Sequence, residues 1–236
     1  MLQYAPCMEM APDPWPAHQD YWLPRDRTTT LRERKRRRTR RALVDAAVDL
    51  FDRQGYDQTT VAEIAAGAQV SPRSFFSYFG SKEEILFPDC DQRLQVAADV
   101  IAARRPGQPP AQVLTGVLQR ILAADTAPAS RMARVRMRLV IEAPAVRGRC
   151  LQVSFSAQRE IARLLHAAYP DELDEVTAAS LVGALTGAVT AALVEVFSSP
   201  ARARQLIDGR PEPLEAELSR VTELALAPWL PPGRPG

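Results

Sequence analysis

Histidine and cysteine are scarce in this chain of 236 residues: two histidines, His18 and His166, and three cysteines, Cys7, Cys90 and Cys150. So small a set suggests no Ser-His-Asp or Cys-His nucleophile, and its members do not fall at zinc-ligand spacing. The cysteines are odd in number, far apart and form no CxxC, which argues against a disulfide framework and fits a reducing cytoplasm. No GxGxxG or GxxxxGK[ST] stretch is present to cradle a phosphate. Neither an enzyme nor a cofactor is expected. No run of about 18 residues reads as purely apolar, so a membrane span is not expected. The first residues lack the basic and then apolar pattern of a secretory signal. Lysine is rare too: of 30 basic residues only Lys35 and Lys82 are lysines, the mark of a GC-rich bacterial coding sequence. No convincing strand pattern occurs anywhere, and the fold expected is all-α.

What is present is unevenly spread. Hydrophobic residues make up 46% of the chain, in line with a soluble globular protein. The net charge is +2, yet residues 25–41 carry ten basic residues against Asp26 and Glu33, a local +8 that leaves −6 elsewhere. Charge concentrated in this way points to a polyanion partner for one segment. Residues 1–30, rich in proline and without period, read as a disordered extension, with Met8 and Met10 as alternative starts. RERKRRRTRR at 32–41 then runs into a stripe of Leu43, Ala46, Ala47, Leu50 and Phe51, the i, i+3, i+4, i+7, i+8 pattern of an amphipathic helix. Gly55 would end that helix in a left-handed position.

Three helix starts follow. Thr60-x-x-Glu63 is a capping box, Ser71-Pro72 pairs an N-cap with proline at the first helical position, and Ser81-x-x-Glu84 is a second box, opening a helix through Ile85, Leu86, Leu94 and Ala97. Only residues 67–70 separate the first two of these helices, the tight joint of a helix-turn-helix. On a helix from Pro72, Phe75 and Phe79 share a face suited to the core. Pro72, Arg73, Phe76, Ser77 and Tyr78 turn wholly or partly away from it. Arg73 could donate to both O6 and N7 of guanine, Ser71 and Ser74 are small enough for close approach, and Tyr78 and Lys82 could reach phosphates. The capped starts at Thr60 and Ser81 suit phosphate as well. The basic run reads as an arm before the first helix, with Arg38 and Arg40 following the DNA backbone or minor groove. The competing reading is a nucleic-acid-binding or architectural protein that uses this arm with little sequence choice.

RRALVDAAVDLFDRQGYD and TTVAEIAAGAQVSPRSFFSYFGSKEEIL together resemble the TetR/AcrR family of bacterial transcriptional regulators, over about residues 36–87. The first-helix stripe, Gly-Tyr, Thr-Thr, Ser-x-x-Ser, Phe-x-Tyr-Phe and Gly-Ser-Lys-Glu all fall in register. The resemblance implies a base-reading helix from Ser71 to Phe79 and phosphate contacts at Thr59, Thr60 and Lys82. Two positions depart from the pattern: Gln69 stands where the family often has glycine, and Phe76 where it favours tyrosine. The resemblance also implies a DNA-binding domain over 31–87, a helical regulatory and dimerisation domain over 88–228 and a tail at 229–236. The protein would be a cytoplasmic homodimer bound to palindromic double-stranded operator DNA, most simply a repressor released by a small-molecule effector. Helical stretches are expected near 111–124, 130–142, 145–168, 171–198 and 213–227, the last two forming the four-helix dimer interface. Arg138, Glu142, Phe155 and His166 are candidate residues for lining an effector site.

Overall fold

The structure, a computed structural model, describes residues 30–124, 131–199 and 212–229. The expected extension before residue 30, and the tail beyond Trp229, lie outside the described residues. Among those residues every regular element is helical. They are α1 (Leu31–Gln54), α2 (Val61–Gly67), α3 (Pro72–Phe75), a 3₁₀ turn (Glu84–Leu86), α4 (Cys90–Ala102), α5 (Pro110–Ala124), α6 (Arg131–Glu142), α7 (Pro144–Ala168), α8 (Glu175–Ser198), α9 (Glu212–Leu226) and a last 3₁₀ turn (Ala227–Trp229).

The chain divides into two units between Arg38 and Thr39. Of the first, residues 30–38 are described, and all are exposed. The basic run is not an arm ahead of the first helix but part of it. Thr30 and Glu33 form a capping box, with the Glu33 carboxylate accepting from Thr30 N at 2.9 Å and the Thr30 hydroxyl accepting from Glu33 N at 3.3 Å. Arginine and lysine are good helix formers, so a capped start ahead of them is enough to carry the helix through the charge.

The second unit, residues 39–236, holds three apolar clusters. One joins Leu43, Ala47 and Phe51 of α1, Ile64 of α2, Phe75 of α3, Phe79 and Leu86 to Val135 and Leu139 of α6 and Val146 of α7. The helices flanking the helix-turn-helix therefore share a core with the start of the C-terminal half. The second lies among α4, α5, α7 and α8, with Leu114, Leu165 and Leu181 fully buried. The third joins Val196 of α8 to Leu214 and Leu218 of α9.

Two sequence expectations change. The helix opened by Ser81 is interrupted: after the 3₁₀ turn, Pro88 breaks the run and α4 begins only at Cys90. Its second capping box is displaced as well. Ser81 Oγ accepts from Glu84 N at 3.3 Å, but the Glu84 carboxylate takes Gly80 N, at 2.7 Å. The other change concerns α8, which by length and composition is long and apolar enough to cross a membrane. Serine and threonine disguise that run in the sequence. In the helix the hydroxyls of Ser180 and Thr186 donate to the carbonyls of Val176 and Val182, at 2.8 and 2.6 Å, so their polarity is absorbed locally. Ala178, Leu181, Val182 and Leu185 of α8 are buried in the bundle.

Candidate nucleic-acid interface

The turn between α2 and α3 is set by its hydrogen bonds. Gln69 N donates to Ala66 O at 3.0 Å and Val70 N to Ala65 O at 2.9 Å, the paired bonds of a Schellman motif. That motif needs a left-handed residue in the position after the cap. Gln69 fills it with φ 57°, the one non-glycine residue of positive φ among those described. The nearby Gly67 serves packing: a Cβ there would come within 3.0 Å of Ala46 Cβ on α1. The glycine is spent on bringing α2 close to α1, and the turn is made by a residue with a side chain.

Past the turn, Ser71 caps α3, its hydroxyl accepting from Ser74 N at 3.1 Å and sharing a 2.8 Å hydrogen bond with the Ser74 hydroxyl. Regular α-helix ends at Phe75, but Ser77 N, Tyr78 N and Phe79 N still bond back to Ser74 and Phe75, so the path stays helical in sense to Phe79. Phe75 and Phe79 are buried, with ring centroids 5.8 Å apart. Outward lie Ser71, Pro72, Arg73, Phe76 and Ser77, all exposed, with Ser74 and Tyr78 half-buried beside them. Arg73 has no partner among the described residues. Phe76 is 59% exposed and is held edge-on against Phe75, 5.3 Å between centroids.

Other expected contact residues are already occupied. Thr60 is exposed at the start of α2, its capping box with Glu63 complete. Two backbone and side-chain hydrogen bonds from Thr60 hold the Glu63 carboxyl below the usual glutamate range. Thr59 departs from expectation: its side chain is 1% exposed and its hydroxyl donates to Gly55 O at 2.7 Å, so it is part of the loop's scaffold and not of its surface. Arg40 reaches across to Pro88 O at 3.0 Å and lies over the Phe79 ring. Lys82 donates to two backbone carbonyls. Arg38, in the first unit, is exposed.

The four candidate effector residues are not brought together. Arg138 of α6 donates to Asp52 and to Phe51 O of α1, at 3.2 and 3.1 Å, and Glu142 is an exposed neighbour 3.9 Å from it. Phe155 is exposed on α7. His166, about 16 Å further along that helix, shares a 2.8 Å hydrogen bond with Leu173 O. None of the four lines the open cleft of ≈ 510 Å³ between α8 and α9, which is walled by Ala188, Ala192, Val221 and Leu224. Sequence reasoning also missed the role of the arginines of α6. Arg131 pairs with Asp49 and Asp52 of α1, and Arg136 with Leu86 O and Asp89. An arginine every few residues on one helix signals such bridging only once its carboxylate partners are known.

Comparison with known proteins places this geometry. Residues 43–87 match the family described as "Bacterial regulatory proteins, tetR family". The chain is 34% identical over 152 residues to the HTH-type transcriptional regulator TcmR of Streptomyces glaucescens, covering 61% of this chain and 66% of that one. It is 36% identical over 87 residues to BetI of Rhizobium meliloti, covering 36% and 43%. The chain thus spans less than two thirds of the length of either relative. Among solved structures it resembles FadR of Thermus thermophilus, a TetR-family transcriptional repressor seen in complex with lauroyl-CoA, with TM-score 0.51 and 22% identity over 84% of this chain and 98% of that one. FadR of Bacillus halodurans has TM-score 0.50 and 19% identity over 80% and 94%. At such identities these two show a shared fold. Over residues 43–87 the chain carries the helix-turn-helix region of the TetR family of bacterial regulatory proteins, and its all-helical remainder shares the fold of the two solved structures.

Proposed function

We propose that this protein is a cytoplasmic homodimer that binds a palindromic double-stranded operator and represses transcription until a small molecule releases it. The observation that carries the reading is the division of labour on one short helix. Phe75 and Phe79 fasten α3 to the core, while Arg73 stands exposed, with no partner among the described residues, between the small residues Ser71 and Ser74. A recognition helix in the major groove presents its N-terminal side chains to base edges, and arginine reading guanine is the commonest specific contact there. Pro72, Phe76, Ser77 and Tyr78 would border the same groove, with Thr60 and the exposed basic turns from Leu31 to Arg38 near phosphates.

Residues 31–87 act as the reader and 88–228 as the regulatory and dimerisation part. The dimer reading is supported by α8 and α9, whose outer face leaves Val176 and Leu224 exposed and nothing within 4 Å of a Cβ built on Gly183 or Gly187. Two copies related by a two-fold axis would cover that face and set the recognition helices about 34–36 Å apart. An effector with different affinity for two separations of those helices would shift DNA affinity.

Footprinting on DNA upstream of the protein's own gene tests this. The expected result is a protected palindrome bound about a thousandfold more tightly than random DNA at moderate salt. Equal affinity for the two would reject it and favour instead a protein that binds through the basic first turns of α1 with little sequence choice, the reading that the +8 charge of residues 25–41 keeps open.

A further inference from the structure

The recognition helix carries one apolar side chain that the core does not use. Phe75 is fully buried and Phe79 is 1% exposed, but Phe76, between them in the chain, is 59% exposed. Its backbone is still helical, with φ −67° and ψ −9°. A helical side chain leans back over the turn that precedes it, and residues three and four apart are neighbours on a helix. Phe76 therefore shares its face with Pro72 and Arg73, both exposed. The ring is already placed: it stands edge-on to Phe75, with centroids 5.3 Å apart and planes at 80°.

We propose that Phe76 is a specificity-determining residue that reads the 5-methyl group of a thymine in each half of the operator, on the same groove face as Arg73. This rests on the DNA-binding function proposed above. The chemistry of the side chain selects what it reads. A phenyl ring has no donor or acceptor to offer a phosphate or the polar atoms of a base edge. In the major groove thymine alone presents an apolar group, its C5-methyl.

A lone exposed phenylalanine elsewhere on a protein surface needs no explanation. This one sits among the side chains that a recognition helix turns towards base edges. The side chains of Ser71, Ser74 and Ser77 around it are too short to screen it. Because the Phe75 ring holds it before DNA arrives, little side-chain freedom is left to lose on binding. The contact also carries no charge, so it adds sequence choice without the salt dependence that phosphate contacts bring.

The test uses the full-length protein and its footprinted operator, with each symmetric pair of thymines replaced in turn by uracil, which pairs identically and lacks only the methyl. At one such pair wild type is expected to lose affinity by about fourfold in each half-site and about fifteenfold for the dimer, the scale of one buried methyl group on each side. Phe76→Ala should bind the operator at least as weakly as wild type binds that uracil site, and should bind the thymine and uracil sites equally. Its salt slope and random-DNA affinity should stay at the wild-type values, with far-UV helicity confirming that it folds. A wild type with no preference for the operator overturns the DNA-recognition reading and this inference with it. Three results leave that reading standing and overturn the inference alone. One is a wild type that loses no more than about twofold at any uracil pair, a measurement that needs no variant. Another is an equal uracil loss in Phe76→Ala and wild type, which assigns the methyl to a different residue. The third is an operator affinity that Phe76→Ala leaves unchanged.

Discussion

The core around Phe75 and the outer face of α8 and α9 are both apolar, and the chain treats them in opposite ways. In the first, Phe51, Phe75 and Phe79 are covered on every side by residues from α1, α2, α6 and α7. In the second, Val176 is 75% and Leu224 71% exposed, and Leu224 lines an open cleft. The contrast shows that an apolar stripe states only that a surface wants covering. Whether the cover comes from the same chain is decided by how many neighbours the chain supplies.

The comparison can be broken at either end. Phe75→Ala should destabilise by about 3–5 kcal/mol, the cost of removing a fully buried aromatic ring, read from urea or thermal melts. A loss below about 1 kcal/mol would mean the core closes over the gap and is not the rigid anchor argued here. On the other face, Leu224→Glu should leave a monomer's helicity and melting almost unchanged, within about 0.5 kcal/mol for an exposed site. It should weaken the dimer by about a hundredfold or more, since two-fold symmetry sets like charges into one apolar interface. Sedimentation velocity across a concentration series separates the outcomes, and a dimer of undiminished strength would remove α9 from the interface.

The same contrast explains what could be read ahead of the structure. The helix-turn-helix was legible because its boundaries are written in short-range chemistry: Thr60 with Glu63, Ser71 with Pro72, Gly55 as a stop. Each acts within four residues, so sequence spacing is enough. The helices near 111–124, 130–142 and 145–168 were legible for a similar reason, with proline at or near their starts. Roles that depend on distant partners were not legible. Thr59 and Thr60 are adjacent and identical in type, yet one is buried against Gly55 O and the other caps a helix in solvent. Arg40 and Lys82 read as phosphate contacts because a cation near a recognition helix suits one; that they also reach the carbonyls of Pro88, Tyr56 and Thr59 could not be read from spacing. Nor did residue type or spacing show that Arg138 and His166, read as candidates for a ligand site, bond to Phe51 O and Leu173 O.

A smaller effect is expected at the turn. Gln69 carries its Cβ at φ 57°, and a left-handed residue other than glycine costs about 1–2 kcal/mol. Gln69→Gly removes that strain but gives the unfolded chain extra freedom worth about 0.5–1 kcal/mol. The net expectation is a gain of about 0.5–1 kcal/mol in thermal stability, with operator affinity unchanged. A loss of stability would show that the glutamine side chain makes up for its own strain.

The smallest effect concerns charge at the start of α2, and its sign is fixed by linkage. Hydrogen bonds from Thr60 hold the Glu63 carboxyl below its ordinary value, so the folded state binds its proton less readily than the unfolded state. Its contribution is complete above the unfolded glutamate value of about 4.3 and is lost as pH falls through the lower folded value. Glutamine preserves the reach of the capping box without the charge. Wild type should therefore melt slightly above Glu63→Gln at pH 7, and the gap should close as pH falls from about 5 towards 3. Parallel melting curves with a constant gap would place the benefit in side-chain shape, leaving the carboxylate's charge no part in holding α2 against the reader's turn.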